Sequence, residues 1–385
     1  MKYIWQHENW PHFTWKSEQL FSLMSRARLG QGKLIAQVSG LGFDLSREAQ
    51  AEILIEETVK TSEIEGERLN RESVRSSVAR RLGLSTTGLA TANRATDGLV
   101  QALLEATKNY DNPLTAARLK HWQAALFPTG FSGLARIRVG KWRGSHPMRV
   151  VSGAMDREKV HFEAPPGERL EKEMKRFLSW WHTTKDKEDG LLRAGLAHFY
   201  FVTIHPFEDG NGRIARVLTD MALAQDEKLP MRYYSLSSQI MEERDDYYDV
   251  LEKCQKSSGN LTEWLKWFLE CHIRAVEGSS KLIADVLAKA RFWRHHDQIQ
   301  VNERQRKVIN RLLDAGKGHF QGGLTTRKYV SMAKTSRATA FREISDLLEK
   351  RILRQNPAKG RSVNYDLDWD YRILPALSVS RFSKI

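Results

Sequence analysis

HPFEDGNGRIAR, residues 205–216, places a histidine, two acids, an asparagine, two glycines and two arginines in one short stretch. A hydrophobic core has no use for that mixture, whereas a site that handles phosphate does. Upstream runs the apolar segment GLLRAGLAHFYFVTI, and downstream IARVLTDMAL repeats Ile214, Val217, Leu218 and Met221 at helical spacing. The stretch therefore reads as a loop between two apolar helices, which makes the fold mainly α around a loop that carries chemistry.

Each residue of the loop has a use. GNG directly before a helix leaves backbone N–H groups free at the helix N-terminus, where the dipole also favours an anion. Gly210 and Gly212 remove side-chain bulk, so with Asn211 they form a backbone cradle that a phosphate can approach closely. Arg213 and Arg216 stand three residues apart and face one side of the helix, where guanidinium groups can grip further phosphate oxygens. Asp209 is a hard oxygen ligand suited to Mg²⁺ beside a polyphosphate. His205 can accept a proton near neutral pH. Together they suggest nucleotide-dependent transfer to a hydroxyl.

The surrounding chain is compatible with such an enzyme. Its 385 residues and 44.3 kDa leave room for two or three domains, and 41% hydrophobic with 28% charged residues reads as a soluble globular protein. Cys254 and Cys271 are too few and too far apart for a disulfide framework or a CxxC metal site, and suit a reducing cytoplasm. MKYIWQHENW lacks the apolar core of a signal peptide, and LLRAGLAHFYFVTI carries Arg193 and His198, which make it a poor membrane span. The expected location is cytoplasmic.

Further helices read from periodicity. SREAQAEILIEETVK predicts a helix from about Arg47 towards Ser62, with Ser46 as N-cap and Gly66 as stop signal. Trp5, Trp10 and Trp15 read as local core. Residues 132–166 are rich in Gly, Pro and short β-branched runs and predict loops with one small hairpin. EKEMKRFLSWWHTT is another helix, and SSKLIADVLAKARFWRHH a long one leading to a third unit.

That unit is basic. The net charge is +14, and from residue 301 onward there are 18 Lys/Arg against 8 Asp/Glu. NERQRKVINRLLD, TTRKYVSMAK and SRATAFREISDLLEK are three helical segments, followed by RILRQNPAKGRSVNYDL as two strands around a turn. This is the winged-helix order. Ala340, Ile344, Leu347 and Leu348 form a buried stripe, leaving Arg337, Thr339 and Arg342 to reach DNA and Lys359 with Arg361 as the wing. Winged helices also dock proteins, and a basic segment can be a solvated face, so DNA is one of several partners the sequence allows.

The loop resembles the Fic-family motif HPFxDGNGRxxR at every fixed position, with Glu208 at the variable one. The resemblance implies a mostly α-helical protein adenylyltransferase that moves AMP from Mg-ATP to a Ser, Thr or Tyr hydroxyl of a protein and releases pyrophosphate. His205 would be the base, Asp209 the Mg²⁺ ligand, and Gly210, Asn211 and Gly212 the anion hole. Arg213 and Arg216 would bind the β- and γ-phosphates, and Phe207 would anchor the loop. TSEIEGE, residues 61–67, is similar to the inhibitory motif [ST]xxxE[GN] through Thr61, Glu65 and Gly66. In that family the glutamate pairs with the second motif arginine, here Arg216, and obstructs the γ-phosphate.

Val160, His161 and Phe162 resemble the flap that docks a target segment by β-pairing. Tyr247 or Tyr248 would border the adenine. The N-terminal segment resembles an uncharacterised domain found in front of Fic domains, and the family's habit of self-association implies a homodimer. The expected division is 1–100 for an N-terminal helical domain, 101–280 for the catalytic core and 295–385 for the winged helix. Two alternatives stay open: the same loop could remove AMP or transfer another phosphate-linked group, or the core could sense nucleotide for a DNA-binding regulator.

Overall fold

Helices form wherever the apolar spacing is helical, and short strands appear only where Gly and Pro break it. The structure, a computed structural model, describes residues 2–40, 43–85, 92–152, 158–316, 320–357 and 363–369. It divides into two compact units, Met1–Ser280 and Lys281–Ile385. The first opens with helices α1 (Ser17–Ser39), α2 (Phe43–Ile64), α3 (Arg71–Leu82), α4 (Arg94–Lys108) and α5 (Ala116–Leu126). Two antiparallel hairpins follow, β1 (Phe131–Ser132) with β2 (Ala135–Arg136), and β3 (Arg149–Ser152) with β4 (Lys159–Glu163). Helices return as α6 (Leu170–Thr183), α7 (Gly190–Ile204), α8 (Asn211–Glu227), α9 (Leu236–Glu242), α10 (Arg244–Gln255) and α11 (Thr262–His295), the last crossing from one unit into the other.

The fold is mainly α, as the periodicity predicts. At the centre of the first unit lies the α7–α8 hairpin. Every residue of α7 from Leu191 to Ile204 is buried, as expected of a helix that is apolar all round. α2, α4 and α5 pack on α8, and α6 packs on α7. Trp10 donates its indole N–H to the buried Glu173 at 2.8 Å and meets Tyr200 edge to face, while Trp5 donates to the carbonyl of Glu163 at 2.7 Å. Trp5 and Trp10 are thus core residues with their polar ends satisfied, whereas Trp15 is only partly buried.

Two local expectations change. α2 begins at Phe43, so Ser46 lies inside the helix and is not its N-cap; its hydroxyl is taken by Tyr233 at 2.6 Å, a tertiary partner that outweighs the capping preference. The middle region holds two hairpins rather than one. The wing residues Lys359 and Arg361 fall outside the described residues.

The second unit contains α12 (Glu303–Ala315), α13 (Thr326–Ala333) and α14 (Arg337–Glu349), followed by β5 (Leu353–Gln355) paired antiparallel with β6 (Tyr365–Leu367). Asn302, Thr325 and Ser336 cap the three helices through their side chains. Val308, Ile309, Leu312, Tyr329, Ala340, Ile344 and Leu347 close one apolar core, with Leu348 partly buried against it. Among the described residues no helix is long and apolar enough to cross a membrane.

Candidate active site

The α7–α8 loop is held in shape by its own side chains. His205 ends α7 in the left-handed region (φ +53°), an uncommon conformation for a non-glycine residue. Its carbonyl accepts from Arg143 Nε at 2.8 Å, and the Arg143 backbone N–H donates to the Pro206 carbonyl at 2.9 Å. Arg143 also reaches the carbonyl of Pro165, just past β4, so one buried arginine ties the loop to the second hairpin. Phe207 is fully buried against Trp142. Asn211 closes the loop at both ends: its amide accepts from the Phe207 N–H at 2.9 Å and donates to the Phe207 carbonyl at 2.8 Å. The Asn211 side chain is therefore spent on the loop, and only its backbone remains for an anion.

The imidazole of His205 donates from Nδ1 to the Val202 carbonyl at 3.2 Å, which leaves Nε2 as the acceptor. Burial pushes its pKa down to about 4, with nearby Arg143 acting in the same direction. The ring is thus neutral and basic-competent at neutral pH. Asp209 keeps 41% of its side chain exposed, with one oxygen accepting from the Gly210 N–H at 2.5 Å and the other from the Ser132 hydroxyl on β1.

Gly210 caps α8 with φ +87°, and a Cβ there would lie 2.9 Å from the Phe127 ring. Gly212 is more telling: a Cβ added to it would collide with Oε1 of Glu65. The carboxylate of Glu65 thus lies directly on the N-terminal turn of α8. Its Oε1 accepts from Arg216 at 2.6 Å, and Arg216 also donates to the Thr61 hydroxyl at 2.6 Å and the Thr61 carbonyl at 2.9 Å. Arg216 is only 2% exposed; burial opposes its charge, and Glu65 turns the net pKa shift upward. Arg213, above the Phe127 ring, pairs with Glu67 at 2.8 Å. Arg216 Nη1 and Arg213 Nε are buried without a hydrogen-bond partner. Both loop arginines are held by acids from the end of α2 and the turn after it.

Residues 113–223 match the family model described as Fic/DOC family. The chain carries a Fic domain. Residues 3–84 match a second model, "Domain of unknown function (DUF4172)". The chain is 31% identical over 136 residues to protein adenylyltransferase Fic of Nematostella vectensis, covering 34% of this chain and 30% of that protein. With the protein of the same name from Culex quinquefasciatus it shares 29% over 137 residues, covering 34% and 26%. The aligned stretch therefore spans less than a third of either relative. The crystal structure of a Fic family protein from Desulfovibrio desulfuricans G20 superposes with a TM-score of 0.53 at 20% identity, covering 91% of this chain and 95% of that one, a likeness of fold.

Around the Fic loop, α2 is anchored by a buried carboxylate. Glu57 accepts from the Ser235 hydroxyl at 2.8 Å, the Ser237 N–H at 3.1 Å and the Ser237 hydroxyl, at the start of α9. The end of α2 is also tied, with Arg244 Nε donating to the Ile64 carbonyl at 2.9 Å and the chain turning at Gly66 (φ +81°). Thr61 and Glu65 thus meet the loop together, and Gly66 turns the chain directly after them.

Tyr247 lies beside Arg216 and Tyr248 but is buried against Trp264 and Trp267, with its hydroxyl on His198 at 2.9 Å. His198 passes the arrangement on to the Thr219 hydroxyl at 3.0 Å, and burial drives its pKa to about 3. Tyr248 is half-buried beside the Ile64 carbonyl and Arg244. In the second hairpin Phe162 is buried against Tyr3, His161 is bound between Glu252 and Ser152, and Val160 is exposed along with Val151. Residues 153–157, between its strands, lie outside the described residues.

Sequence reasoning missed Glu57, Glu67, Ser132 and Arg143. Glu67 alone had a local signal, as an acid two residues past the inhibitory glutamate and able to reach the other motif arginine.

Proposed function

We propose that the protein transfers AMP from Mg-ATP to a Ser, Thr or Tyr hydroxyl of a protein and that Glu65 restrains it. The carrying observation is that an oxygen anion, the Glu65 carboxylate, already rests on the α8 N-terminus against Arg216, beside His205. The sites that would receive phosphate are thus sites that accept anions. The relatives named protein adenylyltransferase support the same reading.

The residues fit a nucleotide triphosphate. Backbone N–H groups of Asn211 and Gly212 would receive phosphate oxygens, joined by that of Gly210 once it leaves Asp209, and Arg213 and Arg216 each keep a buried N–H to spare. Asp209, outward-facing and oriented by Ser132, would hold Mg²⁺, which when bound supplies positive charge to the polyphosphate. Among the described residues no cluster of three metal-ligating side chains exists, which suits an ion held by one carboxylate and the substrate's own phosphates.

In the transfer, the target hydroxyl oxygen forms a bond to the α-phosphorus and its proton moves to Nε2 of His205. The bond from the α-phosphorus to the bridging oxygen breaks, and pyrophosphate carries that electron pair away. Val202 keeps Nε2 unprotonated beforehand. Tyr248 is the adenine neighbour of choice, since Tyr247 has no free face. The exposed edge of the second hairpin, with Val160, would dock the target.

While Glu65 occupies Gly212 and Arg216, and Glu67 occupies Arg213, the phosphate sites are taken. Residues 1–100, 101–280 and 295–385 serve in this reading as restraining domain, catalytic core and winged helix-turn-helix unit. The free, buried Cys254 and Cys271 suit a cytoplasmic protein. The test is Glu65→Gly protein with Mg-ATP labelled at the α- or γ-phosphate. Protein-bound α-label that vanishes in Glu65→Gly/His205→Ala supports AMP transfer. Bound γ-label, or loss of AMP from a modified protein, would replace it with phosphorylation or AMP removal.

A further inference from the structure

Some cations of the second unit are paired to a nearby acid. Arg304 bonds Glu343 at 2.5 Å, Lys350 bonds Asp346 at 2.7 Å and Lys289 bonds Asp314 at 2.8 Å. Arg327, Arg337 and Arg342 have no ion pair among the described residues, and all three line one open groove of about 1080 Å³. The groove runs from the first turn of α13 (Thr325, Thr326, Arg327) over α14 to the β5–β6 hairpin, and among the described residues no acid lines it.

On α14, Arg337, Ala338, Phe341 and Arg342 form one exposed stripe opposite the buried Ala340, Ile344 and Leu347. Phe341 is 63% exposed. A large apolar ring left in water between two unpaired arginines fits no role in this unit's own core. It fits a partner that is anionic at its edges and apolar in its interior.

Duplex DNA has that composition and the right dimensions. A helix about 10–12 Å across matches a major groove about 12 Å wide. Phosphates line the groove, guanine edges take arginine in bidentate fashion, and thymine methyl groups offer apolar contact. The small Ala338 lets the α14 backbone approach closely. Helix α12, the α13–turn–α14 pair and a following hairpin is the order in which the second helix of the pair reads the groove.

We propose that α14 enters the major groove of duplex DNA, with Arg337, Phe341 and Arg342 facing the bases and Arg327 on the phosphate backbone. The inference stands apart from the AMP-transfer reading, because none of these residues belongs to the Fic loop.

The experiment uses the full chain and fluorescently labelled random-sequence duplex, with anisotropy read across a salt titration. Wild type binds, with log affinity falling linearly in log salt. Arg337→Ala/Arg342→Ala weakens binding about tenfold or more and flattens the salt slope by up to about 2 if both contacts reach phosphate, less if they reach bases. Phe341→Ala lowers the preference for selected over random duplexes. Lys172→Ala/Lys175→Ala removes equal charge from exposed positions on α6 and leaves affinity within about twofold. Because the substituted side chains are solvent-exposed, unchanged thermal unfolding will show that the variants are folded. The proposal falls if wild type shows no binding at low salt, or if both double variants weaken it equally. It also falls if Phe341→Asp changes only the oligomeric mass, which would make the face a protein contact.

Discussion

Arg216 on α8 and Arg342 on α14 carry the same group in opposite settings. The first is 2% exposed, with three hydrogen bonds to Thr61 and Glu65, and the second is exposed and in no ion pair among the described residues. An arginine already holding a carboxylate can accept phosphate only by exchange, so its affinity is set by what must leave. A free arginine binds whatever anion arrives, and its affinity is set by salt. In the two proposals, one chain thus holds a guarded anion site and an open one.

The contrast can be broken most severely at the base. His205→Ala, made in the Glu65→Gly background, is expected to cost roughly 10² to 10⁴-fold in AMP transfer, read as protein-bound α-label, while DNA binding is untouched. Next comes the guard itself. Glu65→Gly turns Arg216 into an arginine like Arg342 and should raise transfer on the order of 100-fold, the factor that about 2.7 kcal/mol of differential contact produces. Equal rates in the two proteins would sink the idea of restraint.

Glu57→Ala removes the acceptor of three α9 donors, and a loss of about 2 kcal/mol in denaturant unfolding is expected. Glu67→Ala frees Arg213 from a half-exposed pair, so its gain should be only about two- to fivefold.

Acid sharpens the difference between the two regions. The folded-state pKa of His205 is about 4 and those of His198 and His272 about 3, all below the ordinary 6.5 through burial. The unfolded chain takes up these protons first. Their contribution to stability is therefore complete above about pH 6.5 and is lost as pH falls towards 4 and 3. The transfer rate should lose its base near pH 4 rather than near 6.5. A rate profile with its acid limb at 6.5 would show that the ring is solvated when the site is loaded.

Much of this was legible because the loop's parts are neighbours in sequence. HPFEDGNGRIAR writes out its own glycines, cations and histidine, and TSEIEGE holds the Thr61 and Glu65 that bond Arg216. The supports are not local. Arg143 on the His205 carbonyl, Ser132 on Asp209 and Glu57 on Ser235 and Ser237 join residues far apart in the chain, and single-sequence spacing carries no trace of such pairs. Ser46 misled because a serine before an apolar run looks like a cap until a tyrosine claims its hydroxyl. Tyr247 and Tyr248 are adjacent letters, and only packing tells the core ring from the half-open one.

Under the proposed function, the seat of the Glu65 carboxylate against Gly212 has a consequence for the response to ATP concentration. Carboxylate and phosphate exclude each other, so apparent affinity is the intrinsic one scaled by the fraction of molecules whose guard is withdrawn. With about 1% withdrawn, ATP would bind about 100-fold more weakly than the pocket allows. By reciprocity, bound ATP drives the last turn of α2 off its seat by the same factor. In the proposed function, anything that shifts that fraction, however far from the phosphates it acts, sets the ATP concentration at which AMP transfer begins.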